Sequence, residues 1–364
     1  DYPEVPGYRS LLASAWGNLA VIRSAIRLDD EARSAFRRAA EEFEELARQH
    51  PEVDDFRRSL ATYAGNLAHA LVLDGKRASL AEAKLCAERA ITALRSLTGG
   101  SGSDPQIDDR IAHNLLHLAD IAMGDGRLQD AQHSAEEALA LSRAARLRTP
   151  DQPAFDATFV AATISVATTR LAAARSAGGS LDGTSELLAQ AIAVSDTEIA
   201  RTPDDPDTRS DRSVLFRLDG IERALRGDRD GAVRAANDAI AAAGEDWHGA
   251  LAKGEILALL GAGGAADALR DALTKIEADL AAAPDQVDVE RVRDRVQVAL
   301  ARLVAEHGSA AEAIAMLKPA VESLRRLRDD HQVDPDCDLA LASGLTACAG
   351  LALAVTNPGT PFWM

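Results

Sequence analysis

Three short matches constrain this chain more than anything else in it. Pro3-Glu4-Val5 recurs as Pro51-Glu52-Val53, Tyr8-Arg9 as Phe56-Arg57, and Gly17-Asn18-Leu19-Ala20 as Gly65-Asn66-Leu67-Ala68. All share one offset of 48 residues. A period of that length marks stacked supersecondary units, each too small to bury both of its faces alone.

The unit reads as two helices. Leu12, Trp16, Leu19, Ile22 and Ile26 step by three and four, and so do Ala32, Phe36, Ala39, Phe43 and Leu46. Both rhythms predict an apolar stripe on a helix facing a neighbour. The turn Leu28-Asp29-Asp30 is short enough to make the helices antiparallel, with Asp29 or Asp30 expected to cap the second. Pro51 ends that helix, because the residue before a proline resists helical geometry. The pattern continues as hairpins at 6–50, 54–98, 106–149, 154–202, 205–243, 246–283 and 286–331, with a lone helix over 336–355.

The expected fold is therefore all-α: an α-solenoid of about seven antiparallel hairpins and a terminal helix. Residues 1–98 carry the two hairpins of the clear repeat, 99–104 a Gly/Ser linker, and 105–335 about five more hairpins. Residues 336–355 form a capping helix and 356–364 a tail. Small residues such as Ala20, Ala32 and Ala39 let helix axes approach closely, and the first helices of such a stack line its inner groove.

Charge narrows the partners. A formal net charge of −17 repels a phosphate backbone, so nucleic acid is not an expected ligand. The cysteines, Cys86, Cys337 and Cys348, lack the spacing of a disulfide framework and read as small buried hydrophobes. Leu339–Val355 is uncharged but short for a membrane span and rich in small residues, so it is expected to pack as the cap. The chain opens at Asp1 with neither methionine nor signal peptide, as a processed protein or a fragment does.

Trp16, Leu19, Ala20, Ala32, Phe36 and Ala39 resemble the tetratricopeptide-repeat signature in type and spacing, with a second helix about two turns longer than usual. Ala301–Ala320 and Leu118–Ala138 resemble it again. The resemblance implies a right-handed solenoid that binds a protein or peptide. A narrower likeness is carried by His50-Pro51-Glu52-Val53, Phe56-Arg57 and Asn66-Leu67. This pattern resembles the repeat tail of bacterial serine/threonine kinases, notably those of planctomycetes. It implies the non-catalytic regulatory or sensory part of a larger signalling protein. The chain has no catalytic-loop, DFG or phosphate-loop motif, so neither an enzyme nor a bound cofactor is expected.

Several side chains are candidates for partner contact. Asn18 and Asn66 sit at equivalent places on first helices, where the resemblance implies hydrogen bonds to an extended peptide. His69, His117, Arg217 and Arg302 fall on similar faces, and the arginines suit acidic groups. Asn114 continues the 48-residue interval, but the register of its own hairpin places it differently. His113, His117 and Asp120 share a helix face at metal-ligand spacing, yet no fourth ligand follows, so a structural or groove-lining role is the expectation. Gly261, Gly263 and Ala266 form a GxGxxA pattern without strands, read as a turn. An alternative function is self-assembly through residues 336–364, ending in Phe362-Trp363-Met364.

Overall fold

The structure is a computed structural model that describes residues 5–97, 104–150, 152–203, 205–244, 246–283, 286–306, 310–330, 340 and 344–346. Its helices in chain order are α1 (Pro6–Ala25), α2 (Asp29–Gln49), α3 (Asp54–Asp74), α4 (Arg77–Arg95), α5 (Pro105–Gly124), α6 (Leu128–Arg148) and α7 (Pro153–Ala177). They continue as α8 (Thr184–Arg201), α9 (Pro206–Arg226), α10 (Arg229–Ala243), α11 (Trp247–Leu259), α12 (Ala265–Ala282), α13 (Val287–Glu306) and α14 (Ala310–Asp330). No strand occurs among the described residues. The fold is all-α, and each expected hairpin holds one helix pair, from α1/α2 to α13/α14. Most of the expected linker and terminal helix, and all of the tail, lie outside the described residues. Of the terminal helix, Ala340 packs against the last hairpins and Gly344 faces Val321 and Val298.

The repeat extends into the turns. Arg27 between α1 and α2 has φ 62°, and Gly75, its equivalent 48 residues on, has φ 64°. The left-handed region suits glycine and costs an ordinary residue about 1–2 kcal/mol. The expected aspartate cap is absent. The residue before α2 is Leu28, and neither Asp29 nor Asp30 makes a capping hydrogen bond. Both sit inside the first turn, where their charge still opposes the positive end of the helix.

Two compact units divide the chain: Asp1–Met123 with Gln129–Val166, and Gly124–Leu128 with Ala167–Met364. In the first, α2 buries Ala32, Phe36, Ala39, Phe43 and Leu46 as its periodicity predicts. Helix α1 departs from its pattern. It buries Ala13, Gly17 and Ala20, while Leu12, Ile22 and Ile26 stay 58–61% exposed. The reason is its neighbours. Helix α3 packs on both α2 and α4, whereas α2 is the principal partner of α1, so the wide apolar face of α1 has only one side covered.

Helices of the same rank lie side by side. Gly17 of α1 meets the Tyr63 ring of α3, which stacks on Phe43 at 5.5 Å. On the second helices, Arg37 of α2 grips Glu82 of α4 at 2.6 and 2.9 Å, Arg89 reaches Glu44 at 3.4 Å, and Arg95 of α4 pairs with Glu137 of α6.

The second unit is centred on Trp247, Leu269, Ile276, Leu300, Leu317 and Leu324. Among the described residues, Pro153–Ser176 of α7 alone has the length and hydropathy to cross a membrane, and half of it is buried in protein.

Candidate functional site

In the first unit, α3 and α5 bring His69 and His117 together, with ring centroids 5.3 Å apart and planes at 41°. Burial pushes the His117 imidazole down to about 3, and the neighbouring His69 and His113 push it the same way. His69 is lowered first by burial and then by His113. At neutral pH both rings are uncharged, and each carries one N–H donor and one acceptor nitrogen. One turn further along α5, Asp120 keeps contact with solvent but is crowded by protein, and that desolvation raises its carboxyl to about 7.

His113 turns elsewhere. Its Nδ1 lies 3.3 Å from the Asp109 carbonyl oxygen and 3.3 Å from the Thr158 hydroxyl on α7. Accordingly, the weighed metal trio of His113, His117 and Asp120 does not converge. Among the described residues no three such side chains form a group that could hold a metal ion.

Asn18 is exposed on α1 and Asn66 is half-buried on α3. Neither amide is engaged by the protein among the described residues. Asn114 behaves differently. It is 6% exposed, its Nδ2 donates to the Arg110 carbonyl at 2.8 Å, and it packs against Gly65. The 48-residue interval thus joins two outward amides to one that belongs to the helix contact.

In the second unit, Arg217 of α9 binds Glu255 of α11 at 2.9 Å, and Arg295 of α13 approaches the other carboxylate oxygen at 3.7 Å. Beside this hub is a cavity of about 150 Å³. Arg175, Arg295 and Arg302 line it together with Glu255, and Leu251, Val292 and Ala299 supply apolar wall. Arg302 lines this cavity, while Arg217 is joined to it through Glu255. Sequence reasoning did not single out Glu255, Arg295 or Arg175. The available signal was their recurrence with Arg217 at intervals close to one hairpin, on first helices whose repeat is too degenerate to align by eye.

No family model matches the sequence, and no curated protein matches it. Solved structures similar to the chain include a tetratricopeptide repeat protein from Parabacteroides merdae, at 12% identity, over 91% of this chain and 99% of that one, with a TM-score of 0.46. A thermophilic tetratricopeptide protein of Thermus thermophilus matches at 22% identity over 64% of this chain and 98% of its own, with a TM-score of 0.35. Human IFIT1, solved as a dimer with m7Gppp-AAAA, matches at 15% identity over 98% of this chain and 70% of its own, with a TM-score of 0.43.

Proposed function

We propose that this chain is a helical-repeat scaffold that holds an extended protein or peptide segment on its first-helix face. In this reading it serves a larger bacterial signalling protein, such as a serine/threonine kinase, as its non-catalytic regulatory or sensory region. The observation that carries the binding role is the set of unengaged polar side chains on first helices of the first unit. Several charged side chains of the second helices pair with one another, as in Arg37–Glu82 and Arg95–Glu137. First helices present the exposed Asn18, the half-buried Asn66 and the neutral His69–His117 pair. An asparagine amide and a neutral imidazole each donate and accept, which suits a peptide backbone whatever its sequence.

The test is site-specific photo-crosslinking with p-benzoylphenylalanine in place of His69 or of Leu147, which stands 85% exposed on α6. In native lysate, a discrete adduct from position 69 and none from position 147 is expected. Adducts from position 147 alone, or from neither, would sink the reading. The kinase attachment rests on His50-Pro51-Glu52-Val53 and Phe56-Arg57. A natural reading frame without a kinase domain removes that part alone.

One observation favours a second reading, assembly with copies of this chain. Tyr8, Leu11, Leu12, Ile22 and Ile26 leave an apolar face on α1, each more than half exposed. In this reading a second copy covers that face. Light scattering across a concentration series distinguishes the two: a constant monomer mass discards assembly, and a mass that falls in Leu12→Glu/Ile22→Glu supports it.

A further inference from the structure

We infer that a second, larger cavity, bounded by the end of α10 and by α11 and α12, is a binding site for a small monocarboxylate, whose anionic group meets Lys253 and whose apolar body lies against Ile240, Leu257 and Ala268. Such a site stands apart from the scaffold role proposed above, since it belongs to the second unit and uses none of Asn18, Asn66, His69 and His117.

Helical spacing forms the cavity. From the N-cap of α11 onward, Asp246, Ala250, Lys253 and Leu257 are four, three and four residues apart and so share one face. The space runs along about 16 Å of that face, the rise between Asp246 and Leu257. Gly263, in the turn before α12, borders it without a side chain to fill it, and a Cβ added there would meet nothing within 4 Å. The resulting volume of about 480 Å³ falls within the roughly 300–1,000 Å³ of small-molecule sites.

Charge decides what the cavity takes. Three aspartates and two lysines line it. Asp271 pairs with Lys275 at 3.3 Å, Asp267 with Arg270 at 2.9 Å, and Asp246 with Nδ1 of His248 at 2.7 Å. Lys253, half-buried on α11, is then the one charged side chain of the lining with no hydrogen bond or ion pair among the described residues. An ammonium that has given up part of its water and gained no counter-charge favours an anion that supplies one. A single unmatched cation suits a single negative charge. A dianion would bring its second charge among Asp246, Asp267 and Asp271, where repulsion penalises it, so the same lining that admits a carboxylate rejects a phosphate monoester. Ile240, Leu257 and Ala268 give the rest of the ligand an apolar wall, so an aromatic or branched aliphatic body is favoured by burial.

The experiment follows the amide spectrum of the nitrogen-15-labelled full chain at pH 7.5. Three probes of similar size are titrated: 3-phenylpropanoate, its neutral amide 3-phenylpropanamide, and the dianion phenyl phosphate. Saturable shifts centred on α11, α12 and the end of α10 are expected with the carboxylate. The amide and the dianion are expected to bind about tenfold more weakly or worse. Lys253→Gln is expected to lower the affinity for the carboxylate to that for the amide. Gly263→Phe is expected to weaken both by filling the space, and Gly263 lies outside the left-handed region, so its backbone accepts a side chain. Melting curves establish that each variant is folded; if Gly263→Phe is not, Lys253→Gln carries the test. The site is overturned if no probe binds, if the shifts lie elsewhere, or if Lys253→Gln binds the carboxylate as the parent does. An amide or a dianion that binds as tightly as the carboxylate overturns the charge assignment.

Discussion

The imidazoles of His69 on α3 and His117 on α5 face each other at 5.3 Å, and the second of them resists protonation down to about pH 3. An unfolded histidine takes its proton near 6.5. Between those values the unfolded chain binds a proton that the folded chain refuses. The His117 contribution is therefore whole above about 6.5 and is lost as pH falls toward 3. Asp120 acts in the opposite sense. With its carboxyl raised to about 7, its contribution is fullest below the ordinary carboxylate range and declines as pH rises through 7. In urea melts, His117→Gln is expected to gain stability relative to the parent between pH 7.5 and pH 4.5. Parallel pH profiles for the two proteins would contradict the burial argument.

Gly17 offers a sharper packing test. A Cβ added there lies 2.0 Å from Cε1 of Tyr63, whose ring is stacked on Phe43 and cannot retreat freely. Gly17→Ala is expected to cost about 1–3 kcal/mol, as overpacking does. Gly7→Ala, in the same helix with open space around it, is the control and is expected to be neutral or mildly stabilising, by up to about 1 kcal/mol. Equal melting temperatures for the two variants would disprove the close contact.

Arg27→Gly makes the first hairpin turn like the second. At φ 62° the glycine removes a left-handed penalty of about 1–2 kcal/mol, offset by about 0.5–1 kcal/mol of chain entropy. A net gain of up to about 1 kcal/mol is expected in denaturant melts. A loss would mean that the arginine side chain outweighs its backbone.

Much of this was legible because a helical repeat writes itself twice. The offset of 48 fixed the helix pairs, the stripe on α2 and the equivalence of Arg27 with Gly75. What escaped were features that depend on neighbours. Ile22 and Ile26 have the spacing of core residues and are exposed, because periodicity reveals a face but not whether anything covers it. Asp29 looked like a cap and is a first-turn charge, since one residue of shift separates the two. Glu255 became visible as a hub only once three first helices from weakly similar hairpins stood side by side.

If a peptide backbone is held on the first-helix face, Asn18→Ala/Asn66→Ala weakens its binding by about 1–3 kcal/mol, because each lost amide strands a desolvated partner. The fold is expected to be unaffected, as Asn18 is exposed and Asn66 half-buried. Titration of the partner captured through position 69 measures this, and unchanged affinity would move the contact to another surface.

Cys86 is buried, and that burial, aided by Glu82, pushes its thiol up to about 11. The thiolate is the reactive form, so native Cys86 is expected to resist iodoacetamide at pH 8 and to react once the chain is unfolded. Peptide mapping reads the site directly, and rapid native alkylation would refute its enclosure.

The uncovered face of α1 also bears on how such a chain can change length. Leu12 is exposed, while Leu60, its equivalent on α3, is buried between flanking helices. Helix α1 thus presents a socket of the kind that α3 has already filled. A hairpin whose second helix carries the alternating small and aromatic residues of α2 can be fused ahead of Pro6 and seat there without alteration of any existing side chain.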